Sequence, residues 1–411
     1  MTPPNATAGT TNPDNAKPEL VPCTLSQFLG YFLRLGTVGF GGPIALAGYM
    51  QRDLVEERRW VSQQDYVEGL ALAQLAPGPL AAQLAIYLGW VRARVLGATL
   101  VALAFILPSF FMVLVLSALY IRYGGLPWMQ GLFYGIGAAV IAIIARSAYK
   151  LVRLTLKQDR LLWTVFAVSA VVTAWTETEI IWLFLLSGVV VLVARRKASK
   201  VSACLTPFLP STIGPLLEGP ASWFATGLHG AASSATLARI TWFFAEAGAF
   251  VFGSGLAIVP FMHGGVVNDL HWLDEHQFLD AVAVAMITPG PVVITVAFIG
   301  YLVAGPLGAT LAAVGVFLPC YLFVVIPAPY YRRYGTSPDI RGFVDGVTAA
   351  ATGAIAGAAF VLGKRALVDS LTVLIALLTF VILFVTKKIP EPLVILAAGA
   401  CGLLVKHFAA T

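Results

Sequence analysis

Charge is what this chain has least of. Only 11% of its 411 residues are Asp, Glu, Lys or Arg, against about 25% in ordinary globular domains. No basic stretch is interleaved with aromatics, so nothing points to nucleic acid. Cysteine is scarce as well: Cys23, Cys204, Cys320 and Cys401 lie far apart, with no C-x-x-C spacing. That gives no zinc site and no redox pair. The motifs H-E-x-x-H, G-x-S-x-G, the P-loop and a strand-to-helix G-x-G-x-x-G are all missing. No catalytic residue, metal or cofactor is expected, and primary ATP-driven pumping by this chain has no support. Residues 1–20 lack the apolar core of a signal peptide and are rich in Pro, Asn, Thr and Ala. They read as part of a disordered tail, 1–24.

What is present is apolar. Hydrophobic residues make up 59% of the chain and the mean hydropathy is +0.85. The expectation is an all-α polytopic membrane protein.

Two prolines around a glycine, Pro77-Gly78-Pro79, separate apolar segments at about 66–76 and 80–91 that otherwise have helical character. Proline lacks an N–H and clashes with the preceding turn, so the tripeptide breaks a helix. Inside hydrocarbon a broken backbone must be buried in protein or line a wet cavity. The same tripeptide returns as Pro289-Gly290-Pro291.

The recurrence is part of a duplication. Six apolar blocks, at about 25–50, 64–91, 95–121, 129–152, 161–175 and 180–194, precede a Pro-, Ser- and Gly-rich stretch at about 195–238. Six more follow, at about 240–264, 276–303, 307–327, 342–363, 369–386 and 391–406. An offset of 212 carries Gly36, Phe40, Gly41, Met50, Trp60 and Pro77–Pro79 onto Gly248, Phe252, Gly253, Met262, Trp272 and Pro289–Pro291. After a one-residue deletion, an offset of 211 carries Gly97, Pro108, Arg122, Tyr123 and Gly124 onto Gly308, Pro319, Arg333, Tyr334 and Gly335. The layout expected is a first membrane repeat (25–194), a linker (195–238), a second repeat (239–406) and a short tail (407–411).

Equivalent loops carry opposite charge. Arg52, Arg58 and Arg59 follow the first block, whereas Asp269, Asp274 and Glu275 occupy the matching place in the second half. Because short positive loops stay cytoplasmic, the repeats read as inverted, each with an odd number of crossings. Six blocks per half fit an odd count if the proline-broken block dips in and returns. Arms of about 11 residues, at 1.5 Å per residue, reach only mid-bilayer. About ten crossings plus two re-entrant, broken-helix hairpins result, with twelve plain spans as the alternative.

The run Gly36-Thr37-Val38-Gly39-Phe40-Gly41-Gly42-Pro43 loosens the first block, and Pro43 suits the first turn of a new helix. The amides of Ile44 and Ala45, and those of Leu80 and Ala81 after Pro79, then stand free at positive helix ends. Such ends bind anions. The competing reading is that these glycines only let helices pack closely. Arg34, inside the first block, is the equivalent of Glu246. Arg34 could hold an oxyanion while Glu246 carries a proton or pairs a cation; alternatively the two pair together, or Arg34 reaches for the surface. Glu68 and Asp280 are also equivalents, either proton sites or groups facing interfacial water. Gln74 and Gln83 flank the first break, and Thr288 and Thr295 the second; a glutamine there either donates to a ligand or satisfies the broken backbone. Arg146 reads as an anchor and His263 as interfacial. Arg52, Glu56 and Arg59 read as the charged face of a cytoplasmic helix.

Gly39-Phe40-Gly41-Gly42-Pro43, Ala76-Pro77-Gly78-Pro79 and the echoes Phe252-Gly253 and Thr288-Pro289-Gly290-Pro291 resemble the chromate ion transporter family. The likeness runs from about residue 25 to 406 and includes the duplicated layout of its long members. Ser254 and Gly255 depart from it, standing where the first copy has Gly42 and Pro43. The resemblance implies a bacterial inner-membrane protein that exports chromate, with sulfate as the look-alike substrate. It places the motif positions Gly39, Gly41, Gly42, Pro43, Pro77–Pro79 and Pro289–Pro291 at the binding site. A sulfate importer or exchanger, an intramembrane enzyme or scaffold, and a homodimer stay open at this point.

Overall fold

The computed structural model describes residues 20–40, 42–123, 127–156, 158–176, 181–196, 233–250, 258–334, 338–367, 369–386 and 391–409. Gly41, Phe252–Gly255, most of the 1–24 tail and most of the 195–238 linker lie outside the described residues. Among the described residues every regular element is helical. Four stretches are long and apolar enough to cross a bilayer: Leu80–Tyr123, Trp128–Arg153, Val292–Tyr331 and Pro338–Lys364. Four shorter apolar helices accompany them. The chain is an all-α, multi-pass membrane protein.

Helix α1 (Leu25–Val38) opens on a capping box, in which the Thr24 side chain accepts from Gln27 N–H and Gln27 answers to Thr24 N–H. It stops at Val38, with Gly39 extended, and α2 (Gly42–Met50) restarts with Pro43 in its first turn. A π-helical turn, Gln51–Glu57, follows. The charged α-helical face expected from Arg52, Glu56 and Arg59 is therefore not formed. The wider turn changes the register, Arg52 pairs with Asp53 and Glu57 instead, and Arg59 lies beyond the end at φ 52°.

Helix α3 (Gln63–Leu75) leads to the Pro77–Pro79 break, and α4 (Leu80–Tyr123) leaves it. The two lie side by side, because a methyl on Gly69 of α3 would strike the Tyr87 ring of α4 and Tyr87 Oη donates to Glu68 at 3.3 Å. Each arm of this hairpin is 13 residues, or about 20 Å. Helix α4 then reverses at Ala93 and Arg94, where Arg94 takes φ 53°. The backbones of its two arms touch at Gly89 and Gly97. Helices α5 (Pro127–Thr155), α6 (Arg160–Thr176) and α7 (Ile181–Arg196) complete the first half.

The second half repeats the series: α8 (Ser234–Phe250), α9 (Ile258–His263), a π-helical turn (Gly264–Asp269), α10 (Glu275–Ile287) and α11 (Thr295–Val325). Ala304 and Gly305 reverse α11 as Ala93 and Arg94 reverse α4, and Gly300 meets Gly308 as Gly89 meets Gly97. Helices α12 (Ala328–Tyr334), α13 (Pro338–Ala366), α14 (Ser370–Val385) and α15 (Glu391–Ala409) close the chain.

The halves exchange their last helices. Gly346 of α13 lies against the Ser187 carbonyl of α7, and Gly135 of α5 lies against the Ala398 carbonyl of α15. Residues 211 apart thus make matching contacts in both directions, the pattern a two-fold axis generates. Small residues carry this packing because lipid supplies no hydrophobic drive between helices. Ion pairs add to it: Arg195 reaches Asp345 at 2.6 Å and Asp159 at 3.0 Å, holding the Asp159 carboxyl below the usual carboxylate range. Arg146 pairs with Glu391 at 3.0 Å, and the buried His263 meets Glu275 at 3.0 Å rather than an interface.

Valine at Gly97 or at Gly308 drives a side chain into the opposing arm and should cost about 1–3 kcal/mol. Alanine at Gly30 or Gly137, which face open space, should leave stability unchanged or raise it by up to about 1 kcal/mol. Thermal unfolding of the detergent-purified protein reads both.

Candidate functional site

Each proline-broken tip inserts into the opposite half. The tip of the second hairpin, Pro289–Pro291, sits where α1 crosses α4, and Gly290 N–H donates to the Gly39 carbonyl at 2.9 Å. Ser109 of α4 lies against Gly290 and donates to the Gly36 carbonyl at 3.3 Å. The tip of the first hairpin meets the equivalent place on α8 and α11. There Gly78 lies against Cys320, whose thiol faces the Gly248 carbonyl at 3.5 Å and the Val316 carbonyl at 3.0 Å. Cys320 is the counterpart of Ser109 at an offset of 211, and each directly follows a proline, Pro319 or Pro108. Gly78 and Gly290 take φ values of 132° and 96°, which glycine adopts freely.

The backbone freed by the breaks is only partly satisfied. Gly290 N–H and the Gly39 carbonyl satisfy each other. The Gln83 amide nitrogen donates to the Pro77 carbonyl, which leaves Gln83 Oε1 buried without a partner. Gln83 thus mends the break and has no amide hydrogen turned to a ligand on that bond. Thr295, its counterpart, bonds the Val292 carbonyl at 2.8 Å, and Thr288 bonds that of Ala285 at 3.0 Å. The amides of Leu80, Ala81 and Ala82 open α4 and have no acceptor within the helix. All three residues are buried. The second copy differs, since Val292–Ile294 tightens into a 3-10 turn before α11 starts.

The remaining sequence candidates are spread out. Gly42, Pro43 and Ile44 form the first turn of α2, just past the break that meets Gly290. Gln74 is exposed on α3. Arg34 is also exposed, on the face of α1 opposite the buried Phe28, Phe32 and Leu35. Glu246 is half-buried on α8. No Arg34–Glu246 ion pair forms among the described residues. Asp280 accepts from Tyr120 Oη at 2.7 Å, and Glu68 accepts from Gln64 at 3.0 Å and from Tyr87. Sequence reasoning missed Ser109 and Cys320. Their signal was available as the residues following the repeated prolines of α4 and α11. No cluster of three or more His, Cys, Asp or Glu side chains that could hold a metal occurs among the described residues.

Alanine at Gly290 or Gly78 forces a Cβ into left-handed backbone and into Ser109 or Cys320. Each should lower the thermal midpoint by the equivalent of about 1–3 kcal/mol. Cys320→Ser should change it little, because a serine already fills the matching position.

Comparison with known proteins agrees with these motifs. The family model described as "Chromate transporter" matches twice, over residues 26–192 and 238–403. The chain is 58% identical over 386 residues to the chromate transport protein of Cupriavidus metallidurans, covering 93% of each chain. It is 55% identical over 384 residues to a probable chromate transport protein of Synechococcus elongatus, covering 93% of this chain and 95% of that one. It is 32% identical over 403 residues to the chromate transport protein of Pseudomonas aeruginosa, covering 95% of each. No solved structure matches it. Two matches to one family model, on a helical frame with glycine- and proline-broken segments, make this chain a member of the chromate transporter family, a family of transporters and not of enzymes.

Proposed function

We propose that the chain carries chromate out across a bacterial inner membrane by secondary transport and so confers chromate resistance. The observation that supports this most is the buried start of α4. There Pro77-Gly78-Pro79 ends one helix and begins another inside the protein, and the amides of Leu80, Ala81 and Ala82 lack helical acceptors. A tetrahedral dianion suits that place, because its oxygens accept from several amides at once and its charge faces the positive end of the helix. The second break, at Gly39–Pro43 and Pro289–Pro291, would form the other wall of the site. Arg34, on the exposed face of α1, would draw the anion in. Each helix end contributes about 0.3–1 kcal/mol at a surface and up to about 2 when partly buried. The site would therefore hold its guest loosely, as release on the far side requires.

The two halves read as inverted about an axis in the membrane plane. The support is the exchange of charge between the Arg52–Arg59 loop and the Asp269–Glu275 loop, together with contacts matched in both directions. Inversion makes the two hairpins re-entrant from opposite sides and brings the count to about ten crossings. Coupling to an ion gradient would fall to Glu246, Glu68 or Asp280, three acidic groups within the apolar blocks.

In proteoliposomes, Pro79→Leu and Arg34→Ala should each lower chromate uptake about five- to thirty-fold, the equivalent of 1–2 kcal/mol at one helix end or charge. Unchanged uptake by both variants at normal yield removes this site. Sulfate, added as competitor, separates a chromate-selective carrier from a general oxyanion exchanger. Cysteines introduced as Glu57→Cys and Asp274→Cys should react with an impermeant reagent from opposite faces of intact cells. Labelling from one face contradicts the inversion.

A further inference from the structure

We infer that Asp280, held by Tyr120, carries the proton that couples a proton gradient to anion movement; the inference rests on the transport reading above. Asp280 lies on α10, within the second hairpin, and Tyr120 lies on the long arm of α4 in the first half. The hydroxyl donates to Asp280 Oδ2 at 2.7 Å. Tyr120 is walled by Phe133 and Phe298, with ring centroids 5.6 and 5.3 Å away. The carboxyl therefore stands at the seam between the halves, bonded to a tyrosine that packs among aromatic rings.

No cation pairs with it among the described residues. Among the described residues the basic groups bonded to carboxylates are Arg52, Arg146, Arg195 and His263, and none of them reaches Asp280. Two ionisable groups of α5, which packs on α10, are bonded elsewhere: Tyr134 to Asp369, and Arg146 to Glu391 of α15. Asp274, at the head of α10 itself, is acidic and caps that helix. A carboxylate in such surroundings is expensive when charged. A proton is the smallest species that removes the charge.

Protonation here also has a mechanical consequence. The second hairpin is tied to the first half at two places, the Gly290–Gly39 hydrogen bond at its tip and the Tyr120–Asp280 bond on its arm. A hydrogen bond to a carboxylate is roughly twice as strong as one to a neutral acceptor. Adding a proton to Asp280 makes a carboxylic acid, leaves Tyr120 its own proton and weakens the second tie. Losing that proton to the other side restores it. No bond other than the Asp280 O–H is made or broken.

The equivalent pair in the first half is built differently. Tyr331, counterpart of Tyr120, lies within electrostatic reach of Glu68, counterpart of Asp280. Glu68 also accepts from Gln64 and Tyr87, so its charge is shared among several donors. That asymmetry assigns the proton to Asp280.

The test uses the purified full-length protein in proteoliposomes, with two readouts: chromate exchange at equal concentration on both sides, and chromate accumulation driven by an imposed pH gradient. Asp280→Asn should keep exchange within about twofold of wild type while gradient-driven accumulation falls at least about tenfold. Asp280→Glu should restore part of that accumulation. Tyr120→Phe should shift the pH at which accumulation is half-maximal. Accumulation by Asp280→Asn at the wild-type level overturns the inference. If Asp280→Asn does not fold, a pH-sensitive dye inside wild-type vesicles decides, because chromate movement without proton movement also overturns it. Absence of chromate exchange in the wild type sinks the transport reading instead.

Discussion

One hydrogen bond, from the Gly290 amide to the Gly39 carbonyl, joins one broken backbone to another. Most backbone in a membrane protein is satisfied within its own helix, because lipid offers neither donors nor acceptors. This chain gives up that security around Gly39–Pro43, Pro77–Pro79 and Pro289–Pro291. The freed groups must then find partners across the protein. At the second tip the opposite half supplies the Gly39 carbonyl, and Ser109 and Cys320 pack against Gly290 and Gly78 from across the seam, while Gln83 mends the Pro77 carbonyl from within the first half. Each tip takes part of its packing from the other half, and the second also takes a hydrogen bond, so the two halves depend on each other for a stable interior. The exchange of α6–α7 and α14–α15 between the halves extends the same dependence to their periphery.

Mutual satisfaction is not complete. The first turn of α4 has amides left over, and Gln83, which mends the Pro77 carbonyl, has an oxygen left over. The second copy has less to spare. Its Thr295 turns back onto Val292, and its 3-10 turn tightens the helix start. The two breaks therefore differ in how their helices restart. The same asymmetry appears in the carboxyls, with Glu68 shared among several donors and Asp280 held by Tyr120.

Much of the frame was legible in the sequence because its causes are local. Proline and glycine fix the breaks residue by residue, and the offsets of 212 and 211 carry each feature of one half to the other. What was not legible is what depends on packing at a distance. The reversal of α4 at Ala93 and Arg94 falls between the apolar blocks 64–91 and 95–121, so its place was legible, but the left-handed backbone of Arg94 at φ 53° was not. The π-helical turn at Gln51–Glu57 upset a charge pattern counted on α-helical spacing. Arg34 shows the opposite case: Phe28, Phe32 and Leu35 mark the inward face of α1, and that periodicity alone turns Arg34 outward. The pairing of Ser109 and Cys320 with the tips needed the fold, because the partners lie more than 180 residues away in the chain.

The central claim is that an oxyanion completes the hydrogen bonding of the α4 start. Hydrogen–deuterium exchange of the purified protein, with and without chromate, reads those amides directly. Exchange at Leu80, Ala81 and Ala82 should slow when chromate is added and stay slow while it is bound. Chromate that binds but leaves these three amides unchanged, with protection elsewhere, would contradict the account.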